Sequence, residues 1–224
     1  MKTISTLFIF LLTTVCSFSQ LVLTGSNSTL TLANNAPAIA VDEALTITGN
    51  GTIDGARVSI SSNFATGDVL SYGTLPSGIT GSYNSATGVL TFTGNATPAS
   101  YQALLRTVNF KSTATSAKKR SISFNLGTAI AFSGNGHFYE FVSGSFSWSA
   151  AKTAAASRSF YSMQGYLATV TSQEENDFIQ QKLGADGWIG ASDDYSHINA
   201  ATGATTYASQ AAAEGKWYWV TGPS

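Results

Sequence analysis

Residues 166–184, which read YLATVTSQEENDFIQQKLG, encode a short strand followed directly by a capped helix. The apolar run at the start of this segment predicts the strand. Ser172 and Glu175 then form a capping box, in which each side chain satisfies the backbone amide of the other residue. The apolar residues at helical spacing predict the buried face of the helix: Phe178, Ile179 and Leu183. Gly184 predicts the end of this helix.

A further helix and two strands that contain tryptophan surround this segment. Upstream, Ser147 can cap an alanine-rich helix that carries Trp148 on one side. Downstream, residues 188–191 (WIGA) and 217–220 (WYWV) predict core strands. Residues 194–213 separate the two strands where a short turn would serve, and they predict an excursion at the surface.

The order of these elements resembles the first half of a C-type lectin domain. The resemblance covers residues 134–224, and its motifs are Trp148 with its helix, Gly165-Tyr166-Leu167-Ala168-Thr169-Val170, residues 172–179, Trp188-Ile189-Gly190 and Glu214-Gly215-Lys216-Trp217-Tyr218-Trp219-Val220-Thr221-Gly222. It implies an α+β domain that is truncated at its C-terminus, so that Trp188 and Trp217 lack partners on one face. The common vertebrate form carries disulfides, whereas the single cysteine here is Cys16.

For the complete protein, this resemblance implies calcium-dependent carbohydrate recognition. Sugar-binding members hold calcium with a Glu-Pro-Asn and a Trp-Asn-Asp stretch downstream of the Trp-Val-Thr-Gly segment. We therefore expect the ligand-binding residues and most calcium ligands beyond Ser224. Within the chain, Asp193 and Asp194 are candidate metal ligands, because carboxylate oxygens suit a hard cation. Adjacent carboxylates in a polar loop are also commonly solvated, and that interpretation stays open.

Residues 34–132 predict a β-sandwich, because short alternating strands recur about every ten residues between turn signals. The clearest strand patterns cover residues 44–48, 56–61, 69–72, 88–93, 108–110 and 122–124. One helix interrupts them, with Thr97 as its N-cap and Pro98 at its first position. The buried face of that helix would carry Tyr101, Leu104 and Leu105.

This first unit resembles the cadherin-like or immunoglobulin-like repeats of bacterial surface proteins. The matching stretches are Asn35-Ala36-Pro37, Val41-Asp42 with Leu45-Thr46-Ile47, Gly78-Ile79-Thr80-Gly81-Ser82-Tyr83 and Tyr101-Gln102-Ala103-Leu104-Leu105-Arg106. Cadherin repeats bind calcium through clustered acidic residues, whereas the acids here are scattered: Asp42, Glu43, Asp54 and Asp68. We interpret the unit as a spacer domain with solvated acids, joined to the second unit by a linker at residues 134–136.

The N-terminus predicts export. Residues 1–19 have the positive start, the short apolar run and the small residues of a signal peptide, which leaves Gln20 as the mature N-terminus. The run is too short to span a bilayer, so we expect no transmembrane segment in the mature chain. Acylation of Cys16 is the rival interpretation, and Val15 before it is not the small residue a lipoprotein signal needs. Residues 20–33 would form a separate N-terminal segment.

Composition argues against a nucleic-acid binder and against an enzyme. Charged residues make up 10% of the chain and the net charge is −1, so no basic patch beyond residues 118–120 could hold phosphates. Glu174 and Glu175 are neighbours on a helix and point apart, unlike the paired carboxylates of glycosidases. We expect His137 to pack within a strand and His197 to be exposed, and no Gly-x-Ser-x-Gly motif accompanies them.

Together these patterns predict a secreted or cell-surface bacterial adhesion protein that is not an enzyme. The expected partner is an extracellular glycan, bound with calcium in the full-length protein. A metal-independent protein-interaction module is the first alternative, with a protein as the partner. An accessory binding domain of a larger extracellular enzyme is the second alternative.

Overall fold

The computed structural model describes residues 21–26, 29–32, 36–115, 118–132, 134–183 and 186–222, and it is rich in antiparallel β-sheet with few helices. The strands are β1 (Val22–Thr24), β2 (Ile39–Ala40), β3 (Thr46–Thr48), β4 (Ile53–Ser62), β5 (Asp68–Ser71), β6 (Thr80–Asn84), β7 (Val89–Ala96), β8 (Asn109–Ser112), β9 (Ser121–Leu126), β10 (Ile130–Ala131), β11 (Phe138–Tyr139), β12 (Ser159–Phe160), β13 (Met163–Gln164), β14 (Ala191–Ser192) and β15 (Tyr218–Trp219). The helices are α1 (Pro98–Arg106), α2 (Trp148–Ala156), α3 (Gln173–Leu183), α4 (Tyr195–Thr202) and α5 (Gln210–Ala213). The predicted signal peptide and Cys16 lie outside the described residues.

Two antiparallel sheets share the core of the first unit. A four-stranded sheet has the order β6-β7-β4-β9 and a three-stranded sheet has the order β2-β8-β5. Alternating apolar residues of β4 and β7 fill the space between them, among them Val58, Ile60 and Phe92. This arrangement is compatible with the predicted sandwich. The predicted helix is confirmed as α1, since the hydroxyl of Thr97 accepts a hydrogen bond from the amide of Ser100 at 3.2 Å.

The segment predicted to precede this unit contributes to it. Strand β1 pairs antiparallel with β3, so that Leu23 lies opposite Ile47. Leu21 and Leu23 pack against the core of the first unit. Within the predicted segment 20–33, residues 22–24 are therefore part of the β-sheet structure.

Two of the acids expected to be solvated are instead buried. Asp68 is 2% exposed, and it forms an ion pair with Arg120 at 2.9 Å and accepts a hydrogen bond from Ser112. Asp42 accepts hydrogen bonds from the amides of Ser26 and Ala44. Burial would raise the pKa of Asp42, but these hydrogen bonds outweigh it and lower the pKa below its usual value. Both carboxylates thus hold loops of the first unit in place.

Residues 134–136 form the turn of a β-hairpin, where the sequence indicated a linker. Strand β10 pairs with β11, and the amide of Phe132 donates to the carbonyl of His137 at 2.9 Å. His137 itself is exposed and lies just before the strand, contrary to expectation. The hairpin packs on both units, because one buried cluster joins them: Val89, Ile130, Phe132, Tyr139 and Phe178.

The capped helices of the second unit are confirmed, but the predicted strand at residues 166–170 is wrong. Helix α2 is capped by Ser147, and the Ser172 hydroxyl accepts from the amide of Glu175 at 3.1 Å at the start of α3. Residues 166–170 form no strand, and their backbone contacts are isolated hydrogen bonds: Gly190 N donates to Ala168 O at 2.8 Å and Thr221 Oγ1 donates to Leu167 O at 2.7 Å. Gly184 and the side chain of Leu183 lie outside the part of the chain that the structure describes.

The insertion at residues 194–213 lies at the surface, as the sequence predicts, because most of its residues are exposed. It contains α4 and α5, which bury Ile198 and Ala213 completely. These two residues form a cluster with Val220, and Trp148 and Tyr207 pack against it. The insertion therefore supplies core contacts to the tryptophan-containing strands.

Candidate binding surface

Strands β14 and β15 form a short antiparallel ribbon that carries the tryptophan motifs. Ala191 lies opposite Trp219, Ser192 lies opposite Tyr218, and the amide of Val220 donates to Gly190 O at 2.9 Å. The sequence therefore predicted correctly that these two motifs carry strands. The strands are shorter than expected, since each contains two residues.

Three tryptophans of this region are exposed. The sequence predicted core strands here, and for Trp188 and Trp217 it also predicted one face without partners. Trp188 is 54% exposed, Trp217 is 67% exposed and Trp219 is 43% exposed. Trp217 and Trp219 are two positions apart, at the start and end of the segment that carries β15, so their side chains lie on the same side of the ribbon. We call these three residues the tryptophan surface. Neighbouring exposed apolar side chains are a common mark of binding sites.

The base of the tryptophan surface is held by polar contacts of indole groups. Trp188 Nε1 donates to Phe146 O at 2.6 Å, and Trp148 Nε1 donates to Ile189 O at 2.9 Å. Trp148 is only half-buried, and its ring stacks on His197 at a centroid distance of 4.4 Å. His197 is consequently a packed residue, contrary to the expectation that it is exposed. These contacts fix residues 188–190 against α2 and α4.

The candidate metal ligands Asp193 and Asp194 lie at the end of β14, beside the tryptophan surface. Asp194 is the N-cap of α4, and its Oδ1 accepts from the amides of Ser196 and His197 at 2.8 and 3.2 Å. Its pKa is lowered, first by the Ser196 hydroxyl hydrogen bond. Asp193 Oδ2 accepts from the amide of Gly215 at 3.2 Å. Both carboxylates therefore have structural partners.

These two carboxylates do not by themselves fit a calcium site. Calcium takes six to eight oxygen ligands. Within the described ranges, no group of three or more His, Cys, Asp or Glu side chains is placed to hold a metal ion. A calcium site that uses Asp193 or Asp194 would need most of its ligands from elsewhere.

A serine, a histidine and an aspartate also meet at this end of β14. Ser192 Oγ lies 2.9 Å from His197 Nδ1, and the amide of Asp194 donates to Ser192 Oγ at 3.1 Å. In a catalytic triad the carboxylate orients the imidazole. Here the Asp194 carboxylate binds backbone amides, and Ser192 is buried. Ser192, Asp194 and His197 are therefore arranged as the capped start of helix α4 and not as a catalytic triad.

Glu175 is the most strongly engaged carboxylate of the second unit. Its Oε1 accepts from the Tyr139 hydroxyl and from Asn135 Nδ2 at 3.1 Å. Its Oε2 accepts from the amide and hydroxyl of Thr171 at 2.7 and 2.9 Å. The predicted capping role is thus modified, because the carboxylate reaches Thr171 and not Ser172. The contacts with residues 135 and 139 could not be read from the sequence, since they join distant segments.

No protein-family model matches the chain, and no solved structure shows significant similarity to it. The chain is similar to a halomucin of Haloquadratum walsbyi, with 37% identity over 220 residues. The similar region covers 90% of this chain and 2% of the length of that halomucin. The chain therefore corresponds to a small part of its relative. Among the helices that the structure describes, none has the length and apolar character to cross a membrane.

Proposed function

We propose that the chain is part of a secreted or cell-surface binding protein that is not an enzyme, and that its tryptophan surface recognises an extracellular glycan. The observation that carries this proposal is the exposure of Trp188, Trp217 and Trp219 on one ribbon and its flanking residues. The similarity to a halomucin supports a surface-associated protein. The composition, in which charged residues are only 10% of the chain, also supports an exported β-rich protein.

Tryptophan suits this role because it offers a large flat apolar face at little conformational cost. The apolar face of a sugar ring can pack on an indole, while the sugar hydroxyls remain available to polar groups at the rim. Trp188 already donates its indole N–H to Phe146, so it would contribute its ring face alone. Asp193 supplies a carboxylate next to the ribbon, where it accepts from the amide of Gly215.

The order of elements supports a C-type-lectin-like module at residues 134–224. The helix with Trp148, the capped helix α3 and the two tryptophan strands occur in that order. Residues 188–190 and 217–222 are also adjacent in space, through the hydrogen bond from Val220 to Gly190. Calcium dependence remains part of the proposal, with most ligands outside the described residues. The first unit would serve as a spacer that carries this module.

The test is a glycan array with the whole chain, followed by titration calorimetry with the strongest ligand. We expect Trp217→Ala and Trp219→Ala each to weaken binding by tenfold or more, because each removes an exposed indole face. A factor of ten corresponds to about 1.4 kcal/mol of binding free energy. Met163→Ala is the matched control, because Met163 is similarly exposed at 49% in the same unit but lies on β13. Undiminished binding by both tryptophan variants would refute the role of this surface.

A protein-interaction module is the second candidate. It is favoured by the structural engagement of Asp193 and Asp194 and by the enrichment of tryptophan at protein interfaces. The two candidates differ in their response to a chelator and in their ligand. Glycan binding that disappears with chelator supports the lectin, whereas no glycan signal in the presence of calcium supports the protein-interaction module.

A further inference from the structure

A cavity lies where α3 and the β10–β11 hairpin cover the outer face of the four-stranded sheet. Its volume is about 160 Å³, and its walls belong to both units. Two cationic side chains line it, Arg57 from β4 and Lys182 from α3. Glu140, which follows β11, is the carboxylate on its wall.

Three buried polar atoms without hydrogen-bond partners lie on this face of the sheet. Within the part of the chain that the structure describes, they are Arg57 Nε, Ser59 Oγ and Asn125 Nδ2. Asn125 lies directly opposite Arg57 in the β4–β9 pairing, so the two side chains share a face. Ser59 is two positions further along β4 and shares that face too. Buried polar groups nearly always have a partner, and Arg57, which lines the cavity, therefore needs one for its Nε.

The negative charge near the two cations is already engaged. Glu140 Oε2 accepts two hydrogen bonds from Arg158, at 3.1 and 2.7 Å. Lys182 is 4% exposed and donates to Thr87 O at 2.7 Å, which is an uncharged partner. Burial lowers the pKa of Arg57, against the charge of Glu140, which raises it. Burial also lowers the pKa of Lys182 to about 8.

We propose that this cavity binds a small oxyanion, held between Arg57 and Lys182. A guanidinium matches an oxyanion with two parallel hydrogen bonds, and an ammonium adds a compact charge. The bound anion would accept from Arg57 Nε and offset the charges of the half-buried Arg57 and the buried Lys182. A water occupies roughly 30 Å³ of liquid volume, so the cavity has room for a sulfate, a phosphate or a small carboxylate. The anion would also join the two units, because its ligands come from β4 and α3.

The test is titration calorimetry of the whole chain with sulfate, phosphate and acetate at pH 7. Sodium chloride holds the ionic strength constant, so that general salt effects cancel. We expect saturable binding of one anion per chain. Arg57→Gln and Lys182→Gln should each weaken it by about tenfold or more, as expected for the loss of a charged hydrogen bond. Lys111→Gln is the matched control, because Lys111 is exposed on β8.

The three anions separate the sources of the oxyanion. A preference for sulfate and phosphate assigns a tetrahedral anion, and a preference for acetate assigns a carboxylate. Absence of saturable heat with all three would overturn the proposal, as would unchanged affinity in both variants. If Arg57→Gln does not fold by circular dichroism, Lys182→Gln tests the same cavity from its opposite wall.

Discussion

At the scale of single residues, Gly190 shows why one motif requires glycine. Three segments meet there, since its amide donates to Ala168 O and its carbonyl accepts from Val220 N. A Cβ at this position would lie 2.0 Å from Thr221 Oγ1 and 2.8 Å from Leu167 O. The Trp-Ile-Gly motif therefore ends in glycine because a backbone and a hydroxyl fill the space of a side chain.

Gly190→Ala should lower the free energy of unfolding by about 1–3 kcal/mol, because overpacking forces the neighbouring segments apart. Urea denaturation of the whole chain measures the change. Gly187→Ala is the control, since its Cβ would meet only the edge of the Phe141 ring at 3.3 Å. Equal stability of the two variants would show that residues 167–169 and 221 move aside without cost.

At the scale of elements, Glu175 fixes the start of α3 to the β10–β11 hairpin. Burial would raise its pKa, but the hydrogen bonds from Tyr139, Thr171 and Asn135 outweigh burial and lower the pKa below its usual value. Burial raises the pKa of Tyr139, and its hydrogen bond to Glu175 raises that pKa further. The pair therefore holds the carboxylate ionised and the phenol protonated.

Glu175→Gln should destabilise the chain by about 1–3 kcal/mol near neutral pH, because the uncharged amide cannot accept all four hydrogen bonds. A folded-state pKa below the unfolded value of about 4.3 gives stability that is present above that pH and is lost on acidification. The difference from the wild type should therefore shrink below about pH 4. Denaturant unfolding at each pH measures the difference. Glu174→Gln is the control, because Glu174 is the exposed neighbour of Glu175. A difference that does not depend on pH would contradict the role of the ionised carboxylate.

At the scale of the whole molecule, Lys182 connects the two units. Its Nζ donates to Thr87 O and lies 4.7 Å from the centroid of the Phe64 ring. Burial lowers its pKa to about 8, while the charge of Asp68 acts in the opposite direction. The unfolded chain has the ordinary lysine pKa of about 10.4 and so binds more protons than the folded chain between these two values.

Stability of the wild type should accordingly rise between about pH 8 and pH 10, relative to Lys182→Met. The slope can reach about 1.4 kcal/mol per pH unit within this window. Denaturant titrations of both proteins in buffers without sulfate or phosphate measure it, so that no oxyanion neutralises the lysine. If the free energies of unfolding of the wild type and Lys182→Met change in parallel with pH, the ammonium of Lys182 is solvated in the folded chain and the prediction is wrong.

Local patterns in the sequence determined much of the secondary structure. Alternation predicted β4, β7 and β9, and the residues Thr97, Ser147 and Ser172 predicted the starts of three helices. These signals suffice because strand period and helix capping depend on neighbours within a few positions. The tryptophan motifs also predicted correctly that β14 and β15 are strands.

The tertiary structure alone decided which polar groups are buried, and it decided how far each aromatic group is exposed. Lys182 bonds to a carbonyl 95 positions away, and Asp68 pairs with Arg120 across 52 positions. The exposure of Trp217 depends on what covers the β14–β15 ribbon, and the anion cavity exists only where α3 lies on the first sheet. Sequence patterns report the periodicity of the local segment around a residue. The burial of that residue depends on other segments, which meet it only after the chain has folded.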